Sequence, residues 1–526
     1  MWTSAATYMW LLLLLRCNSR RIGPQEINRR LSKSKLISYR QCPKRLWLEI
    51  HRPESAQVSA ASEAIFRIGH QVGAVAQHLY DPEETGALID LKAEGVDTAL
   101  ARTATLLNSR RPVFEAGFAS AGAMAFSDVL LPVGPNGWRM VEIKASGSVK
   151  DYQRDDVAIQ SFIARNAGVQ LEAVALAHID TSWVYPGGGI YRGLLKEVDL
   201  TAEAFARDGE VQAWIASAHA VVDSSLAPDV AVGKQCQEPF ECSFHGYCDK
   251  AGQPATYPVG WLPRVSSTQL KVFIAEKGVR ELSEVPDHLL NALQKRVRDC
   301  TVEGHTYFDA PGAKSDLAGH GLPGLFLDFE TISFAVPIWA GTRPFQQITF
   351  QFSVHRVDAT GATSHRAFLD LTGEDPSRRL AEDLVASCGE EAPVFVYNAG
   401  FEGGRLAELA KRFNDLAPNL LAIRSRLVDL WPIAVRRYYH PSQQGSWSIK
   451  KMPPALVPAL CYENLGGVAD GGAAQDAYME AIQCGTSGER RSELRTQLLA
   501  YCKLDTWAMV EIWNVFADAK FELKKS

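Results

Sequence analysis

Apolar and polar positions follow strand-like patterns in two widely separated parts of the chain. Ala125-Phe126-Ser127-Asp128-Val129-Leu130-Leu131 has the alternation and apolar content of a β-strand. Pro135-Asn136-Gly137 predicts a turn, and Trp138 to Lys144 then reads as the hairpin partner. In the second half, Leu325 to Asp328 and Pro393 to Tyr397 are apolar runs of buried-strand length. Phe401 to Ala410 and Leu498 to Phe516 carry helical spacing. Near the beginning, 35–50 reads as one helix with Cys42 near its start and an apolar stripe of Leu46, Trp47 and Ile50. The stretch from Ala275 to Pro286 reads as helix, glycine turn, helix, and the glycines and prolines from Pro311 to Gly324 as a loop into a further domain.

These patterns place polar chemistry inside apolar elements. Asp128 lies in the first predicted strand, and Glu142 and Lys144, two apart, project from one side of its partner. A carboxylate pair beside an ammonium group can hold a divalent ion and stabilise charge on a phosphoryl group. Asp156 and Gln160, one helical turn apart, can line the same pocket. In the second half, Asp328 and Glu330 share one face of a strand, Asn398 ends another, and Glu402 sits in the first turn of the following helix. Tyr501 and Asp505 are one turn apart near the end. Four acids arriving from a strand, a strand end and a late helix suit a two-metal site, with Tyr501 positioning a water. Asp429, at a predicted strand end, is a further possible ligand.

Composition bounds the rest. At 526 residues the chain implies two domains with connecting material, and 46% apolar with 22% charged residues is ordinary for a globular protein. A formal charge of −5 excludes a basic coat, so nucleic-acid contact would rest on local patches. Arg16 to Arg45 offers ten Lys or Arg against one acid, Glu26, and Arg424 to Lys451 includes Arg426, Arg436, Arg437 and Lys450. The apolar run Tyr8 to Leu15 is too short to span a bilayer, and its basic residues follow it. We read 1–30 as a disordered leader or a mis-set start, with Met9 or a later residue as the true beginning, and expect a cytoplasmic protein outside the membrane.

Ten cysteines in such a setting do not predict disulfides. Cys17, Cys300, Cys388, Cys461, Cys484 and Cys502 are scattered and read as ordinary buried thiols. Cys236, Cys242 and Cys248 are evenly spaced, five residues between neighbours, and Cys42 can join them from a distant segment. Four thiolates suit an iron–sulfur cluster or zinc, and His245 offers a Cys3His zinc route without Cys42.

The series Cys-Pro-x-Arg-Leu-Trp, Asp128, Glu142-x-Lys144, Gln160 and three clustered cysteines resembles the PD-(D/E)XK nucleases of the RecB type. In particular it resembles their iron–sulfur branch, which includes the CRISPR-adaptation exonucleases and the AddB helicase–nuclease subunit. The resemblance spans 31–250. It implies a restriction-endonuclease-like fold, metal on Asp128 and Glu142, Lys144 and Gln160 in catalytic roles, and a 4Fe-4S cluster on Cys42, Cys236, Cys242 and Cys248. Two positions depart from the family. Gly73 stands four residues after Gly69 where a ligand His is common, with His70 adjacent to the glycine, and Ala164 stands where a Tyr often follows the Gln.

The C-terminal series resembles the DEDD 3′–5′ exonucleases of the RNase H-like fold, in the subtype ending Tyr-x-x-x-Asp. It is also similar to an uncharacterised bacterial domain family that opens Leu-Asp-Phe-Glu-Thr and is often fused behind RecB-like nucleases. This resemblance, over 321–526, assigns metal to Asp328, Glu330, Glu402 and Asp505, a catalytic role to Tyr501, and substrate contacts to Asn398, Lys450 and Lys451. Glu402 departs from the Asp usual there. An α/β protein is therefore expected: a nuclease domain at 31–250, a helical connector at 251–320 and an exonuclease domain at 321–526. The expected function is Mg²⁺- or Mn²⁺-dependent hydrolysis of DNA, with RNA as the second substrate and repair or defence proteins as partners. The rival readings are a nucleic-acid-binding adaptor with inactive metal sites and a zinc-stapled scaffold.

Overall fold

A computed structural model of the chain describes residues 30–57, 60–250, 255–389, 391–457, 460 and 467–518, with 60–64 and 250 described as backbone only. The leader at 1–29, with the basic residues it contributes to the first patch, and Cys17 and Cys461 lie outside the described residues. The chain forms two compact units, 1–254 with 335–345 and 255–334 with 346–526. The expected connector thus belongs to the second unit, and a short piece of the second half belongs to the first. Both units are mixed α/β.

The first unit is built on one sheet with strand order β2-β3-β4-β5-β6-β7. Its strands are β1 (Leu31–Ser32), β2 (Ala87–Leu88), β3 (Val113–Ser120), β4 (Ala123–Val133), β5 (Gly137–Lys144), β6 (Leu171–Ile179) and β7 (Leu195–Asp199). The predicted hairpin forms as β4 and β5, antiparallel from Val129↔Val141 to Val133↔Gly137. Burial alternates residue by residue along the first half of β4, as its sequence pattern requires. Helices α1 (Lys33–Gln41), α2 (Pro43–His51), α3 (Ala60–Tyr80), α4 (Asp151–Asn166) and α5 (Asp208–Asp223) belong to the same unit. Leu36, Leu46, Ile159, Ile163 and Ile215 from these helices pack with Leu130 and Met140 of the sheet in the main core. The single helix expected over 35–50 is two helices. Cys42 between them is extended at φ −161° and ψ 117°, because Pro43 pushes the residue before it out of the helical region.

The second unit opens with α6 (Thr268–Lys277), closed by Gly278 in the left-handed conformation, and α7 (Ala292–Glu303). Short 3-10 turns separate them, so the second helix of the expected hairpin starts beyond Pro286. The two-stranded pair β8 (Tyr307–Phe308) and β14 (Tyr438–Tyr439) flanks the main sheet of the unit in sequence. That sheet contains β9 (Gly324–Ile332), β10 (Ile348–Val357), β11 (Thr363–Leu369), β12 (Val394–Val396) and β13 (Leu427–Asp429), ordered β11-β10-β9-β12-β13. β9, β10 and β11 form an antiparallel meander, while β12 runs parallel to both β9 and β13. α8 (Ser377–Cys388), α9 (Ala399–Arg412) and the 29-residue α10 (Gly488–Phe516) are among the helices of this unit.

The period of two in β9 divides its side chains between two cores. Leu325, Leu327 and Phe329 pack with Leu380 and Leu384 of α8 and Leu406 and Leu409 of α9. Phe326 faces the other way, into a cluster with Trp513 and Phe516 of α10. Asp328 and Glu330 share that second face. No helix among the described residues is long and apolar enough to cross a membrane.

Candidate active sites and cysteine cluster

The C-terminal acids are held in place by the strand opposite them. In the ladder Ser353 pairs with Asp328 and Gln351 with Glu330, so the four side chains share one face. Gln351 Nε2 donates to the carbonyl of Leu498 at 2.8 Å, while Thr506 Oγ1 lies 2.8 Å from Ser353 Oγ and 2.8 Å from His355 Nδ1. These contacts bracket Tyr501 and Asp505 and fix the register of α10 over the sheet. A β-bulge between Thr349 and Gln351 lies beside the site, as bulges commonly do next to functional residues. Glu402 is buried in the first turn of α9, and its Oε2 has no hydrogen-bond partner among the described residues.

Asp328, Glu330 and Cys502 each offer one ligand atom, all within 4.8 Å of one another. The group concentrates negative charge in a buried place. Burial, followed by the charges of Asp505, Glu330 and Glu402, drives the Asp328 carboxyl well above its ordinary range. Burial and Asp505 push Glu330 up to about 8, with Lys450 opposing, and burial then Asp429 push Glu402 up to about 8. Burial, then Asp505, Glu330 and Asp328, raise the Tyr501 hydroxyl, which stays neutral and can orient a water.

The predicted substrate residues separate. The Lys450 ammonium stands 4.9 Å from the centre of the Tyr501 ring. Lys451 turns away and donates to Gln444 at 3.0 Å. Asn398 occupies the N-cap position of α9 without a side-chain cap bond. Asp429 is committed elsewhere, accepting from the Ala399 amide at 2.9 Å and the Trp431 amide at 3.0 Å. The basic run from Arg424 is largely structural as well. Arg426 donates to the carbonyls of Ala392 and Gly389, and Arg436 and Arg437 pair with Asp316. A broad cleft lined by Gly319 to Pro323, Pro393 and Arg426 opens at the start of β12 and β13, the end opposite Asn398 and Asp429.

The N-terminal acids gather where the sheet forks. Along one edge of β4, β1 pairs with Ala123 and Met124, while β5 pairs from Val129 onward. Asp128 falls in the gap, and its Oδ2 accepts from the Ile143 amide at 2.6 Å. Lys144 Nζ lies 2.6 Å from Glu142 and 2.5 Å from Asp156. Gln160 Nε2 donates to Asp156 at 3.2 Å. Lys33, which the sequence pattern does not single out, stands directly after β1 and reaches Glu142 at 2.9 Å and Asp156 at 3.2 Å. Glu115 of β3, at the left-handed φ of 56°, adds its charge to the same region. A non-glycine residue in that conformation is strained.

Burial and then Glu142 raise the Asp128 carboxyl, while Lys33 and Lys144 oppose. Burial acts upward on Asp156 too, but Lys144 and Lys33 outweigh it and hold the carboxyl below its ordinary range. The basic patch around Arg16 to Arg45 is consumed in the fold wherever it is described. Arg30 pairs with Asp97, Lys35 and Arg45 with Glu49, and Arg40 with Asp155.

Cys42, Cys236, Cys242 and Cys248 line one cavity together with His245, Lys44 and Arg45. Trp47, Leu48 and Phe244 form the apolar wall behind them. Gln41 Nε2 ties the segments by donating to the carbonyls of Gln235 and Phe240 at 2.7 and 2.8 Å. By donor type the set is that of four-thiolate ligation, with His245 as the alternative fourth ligand of a Cys3His site. The expectation that the six remaining cysteines are ordinary buried thiols fails at two of them. Cys484 is exposed, and Cys502 meets the C-terminal carboxylates.

Comparison with known proteins adds little beyond this geometry. A family described as a domain of unknown function, DUF2779, matches residues 325–448. The chain is 26% identical over 208 residues to the uncharacterized protein MG366 homolog of Mycoplasma pneumoniae, covering 36% of this chain and 31% of that protein. It thus spans about a third of the length of that curated relative. The solved structure described as the crystal structure of SSO0001 aligns with 46% of this chain and 96% of its own, at 13% identity and a TM-score of 0.23.

Proposed function

We propose that the chain is a metal-dependent nuclease that hydrolyses DNA phosphodiesters, with a 3′–5′ exonuclease centre in the second unit. The observation that carries this reading is the buried group of Asp328, Glu330, Glu402 and Asp505, in which the other three acids all act on Asp328 and concentrate negative charge that a proton or a cation would offset, with Lys450 over the Tyr501 ring nearby. The strand order β11-β10-β9-β12-β13, antiparallel then parallel, supports an RNase H-like assignment for this unit. Mg²⁺ or Mn²⁺ held there supplies Lewis-acid activation of a water and stabilises the leaving oxygen. The protein's own part is positional. Asp328 and Glu330 present oxygens from one strand face, Glu402 and Asp505 close the group, Tyr501 orients the water and Lys450 pairs with a phosphate oxygen.

For the first unit we propose a RecB-like, PD-(D/E)XK nuclease fold that grips DNA, with its four cysteines stapling distant segments through an iron–sulfur cluster or zinc. The forked sheet around Asp128 and the cavity shared by the four cysteines support that reading. A specific observation favours the adaptor role for this unit: Lys33 and Lys144 already neutralise Glu142 and Asp156. The test is digestion of end-labelled single- and double-stranded DNA with Mg²⁺ or Mn²⁺, using anaerobically purified protein. A 3′–5′ ladder lost in Asp328→Ala and kept in Glu142→Ala is expected. A cut lost only in Glu142→Ala makes the first unit the enzyme. DNA binding with no metal-dependent cleavage of any substrate sinks the nuclease reading and leaves the adaptor.

A further inference from the structure

The geometry points to a thiophilic cation at the C-terminal carboxylates: we propose that Cys502 is a ligand there and that Zn²⁺ displaces Mg²⁺ and arrests the site. The inhibitory half of this inference rests on the nuclease reading above, whereas the binding half does not. Cys502 Sγ lies 3.8 Å from Asp328 Oδ2 and 4.0 Å from the Asp328 carbonyl. Zinc bonds of about 2.3 Å to sulfur and about 2.1 Å to oxygen, meeting at a tetrahedral angle, put those two ligand atoms about 3.6 Å apart. Glu330 brings a third ligand atom within the same 4.8 Å circle.

A second observation is independent of the sulfur. Glu402 is only 3% exposed, its Oε2 lacks a hydrogen-bond partner among the described residues, and its charge acts on Asp328. A buried, unsatisfied carboxylate oxygen of this kind costs free energy unless a proton or cation meets it. The Gln351–Leu498 and Thr506–Ser353 contacts hold α10 on either side of Cys502 and so set where its backbone sits against β9 and β10. Cys502 is a free thiol with no disulfide role. Mg²⁺ prefers an all-oxygen octahedron, whereas one thiolate with carboxylates suits zinc or cobalt. Binding exchanges the thiol proton for the ion and releases that proton to solvent.

The test titrates Co²⁺, as a visible stand-in for Zn²⁺, into the full-length protein with its four-cysteine site filled as purified. The sulfur-to-cobalt charge-transfer band is followed in the near ultraviolet. Wild type and Cys388→Ala, which loses a buried thiol elsewhere, should both develop the band. Cys502→Ala and Asp328→Asn should both lose it, although Asp328→Asn keeps every thiol. Cys502→Ser replaces Cys502→Ala where circular dichroism shows that variant unfolded. A band of equal size without Cys502 overturns the proposal, as does one that ignores Asp328→Asn. In the cleavage assay Cys502→Ala should need at least about tenfold more Zn²⁺ for half-inhibition, the scale of losing even an outer-shell partner. Equal Zn²⁺ sensitivity of the two proteins also overturns it. If no cleavage occurs but the band behaves as expected, the metal site stands and the nuclease reading alone falls.

Discussion

In the first unit the ammonium groups of Lys33 and Lys144 stand within 3.2 Å of Glu142 or Asp156, while in the second burial and the charges of Asp505, Glu330 and Glu402 raise the proton affinity of Asp328, and burial and Asp505 raise that of Glu330. The contrast originates in sequence position. Lys33 follows β1, whose pairing with β4 brings it to the fork beside Asp128, and Lys144 sits two residues from Glu142 on β5. The second unit draws its acids from β9, α9 and α10, and Lys450 reaches them at Tyr501. A cluster that carries its own counterions holds its shape without a metal. One whose acids share a buried face gains most from a bound divalent ion.

The largest effect expected from this contrast is the loss of an internal counterion. Lys33→Met should destabilise the metal-free protein by about 3 kcal/mol, since it leaves two buried carboxylates, Glu142 and Asp156, to Lys144 alone, and Glu142 is only 1% exposed. The urea midpoint reads this, and a change below about 1 kcal/mol would mean that Lys33 is no structural counterion. Next in size is metal itself. Mn²⁺ at about one hundred times its dissociation constant should stabilise wild type by about 2.7 kcal/mol. Glu330→Gln should abolish the gain and Glu142→Gln should keep it, and the reverse pattern would place the working ion in the first unit.

How much of this was legible in the chain differs between the two sites for a physical reason. The β4–β5 hairpin, β9, β12, α9 and α10 follow from local periodicity, and the carboxylates on them are legible with their elements. Lys33 is not, because only the parallel pairing of a two-residue strand brings it 109 positions along the chain to Glu142. Glu115 is hidden by a backbone conformation that strand periodicity cannot express. Cys502 reads as one scattered thiol until the register of α10 over β10 is known. The Cys-Pro step at 42–43 did carry a signal for the helix break, since proline restrains the residue before it. The basic runs misled because charge patterning does not reveal which arginines the fold consumes, as Arg436 and Arg437 show against Asp316.

Proton affinity gives a third and smaller test of the second site. Glu402, ordinarily near 4.5, is pushed up to about 8 by burial and Asp429. A carboxyl raised in the folded state favours folding fully below its unfolded value, and that contribution is lost as pH climbs toward the folded one. The metal-free protein should therefore lose stability between about pH 4.5 and pH 8. Glu402→Gln removes the ionisable group, so it should raise stability at pH 6 by about 2 kcal/mol and leave it unchanged at the acid end. Thermal melts in chelator across that window read the difference. An equal gain at both ends would trace to packing instead of charge.

The smallest expected effect separates two neighbouring lysines. Lys450 lies over the Tyr501 ring and lowers the proton affinity of Glu330, whereas Lys451 is engaged with Gln444. A phosphate seated at the acids would meet the first ammonium and not the second. Lys450→Ala should weaken binding of a single strand about tenfold, some 1.4 kcal/mol, and reduce the slope of log affinity against log salt by about 1. Lys451→Ala should stay within about twofold and keep the slope. Fluorescence anisotropy with labelled oligonucleotide in Ca²⁺, at several salt concentrations, distinguishes them. Equal losses for both variants would mean that the strand runs along the outer surface at 450–451 without entering the carboxylate site, which would reduce the second unit to a strand-holding role like the one favoured for the first.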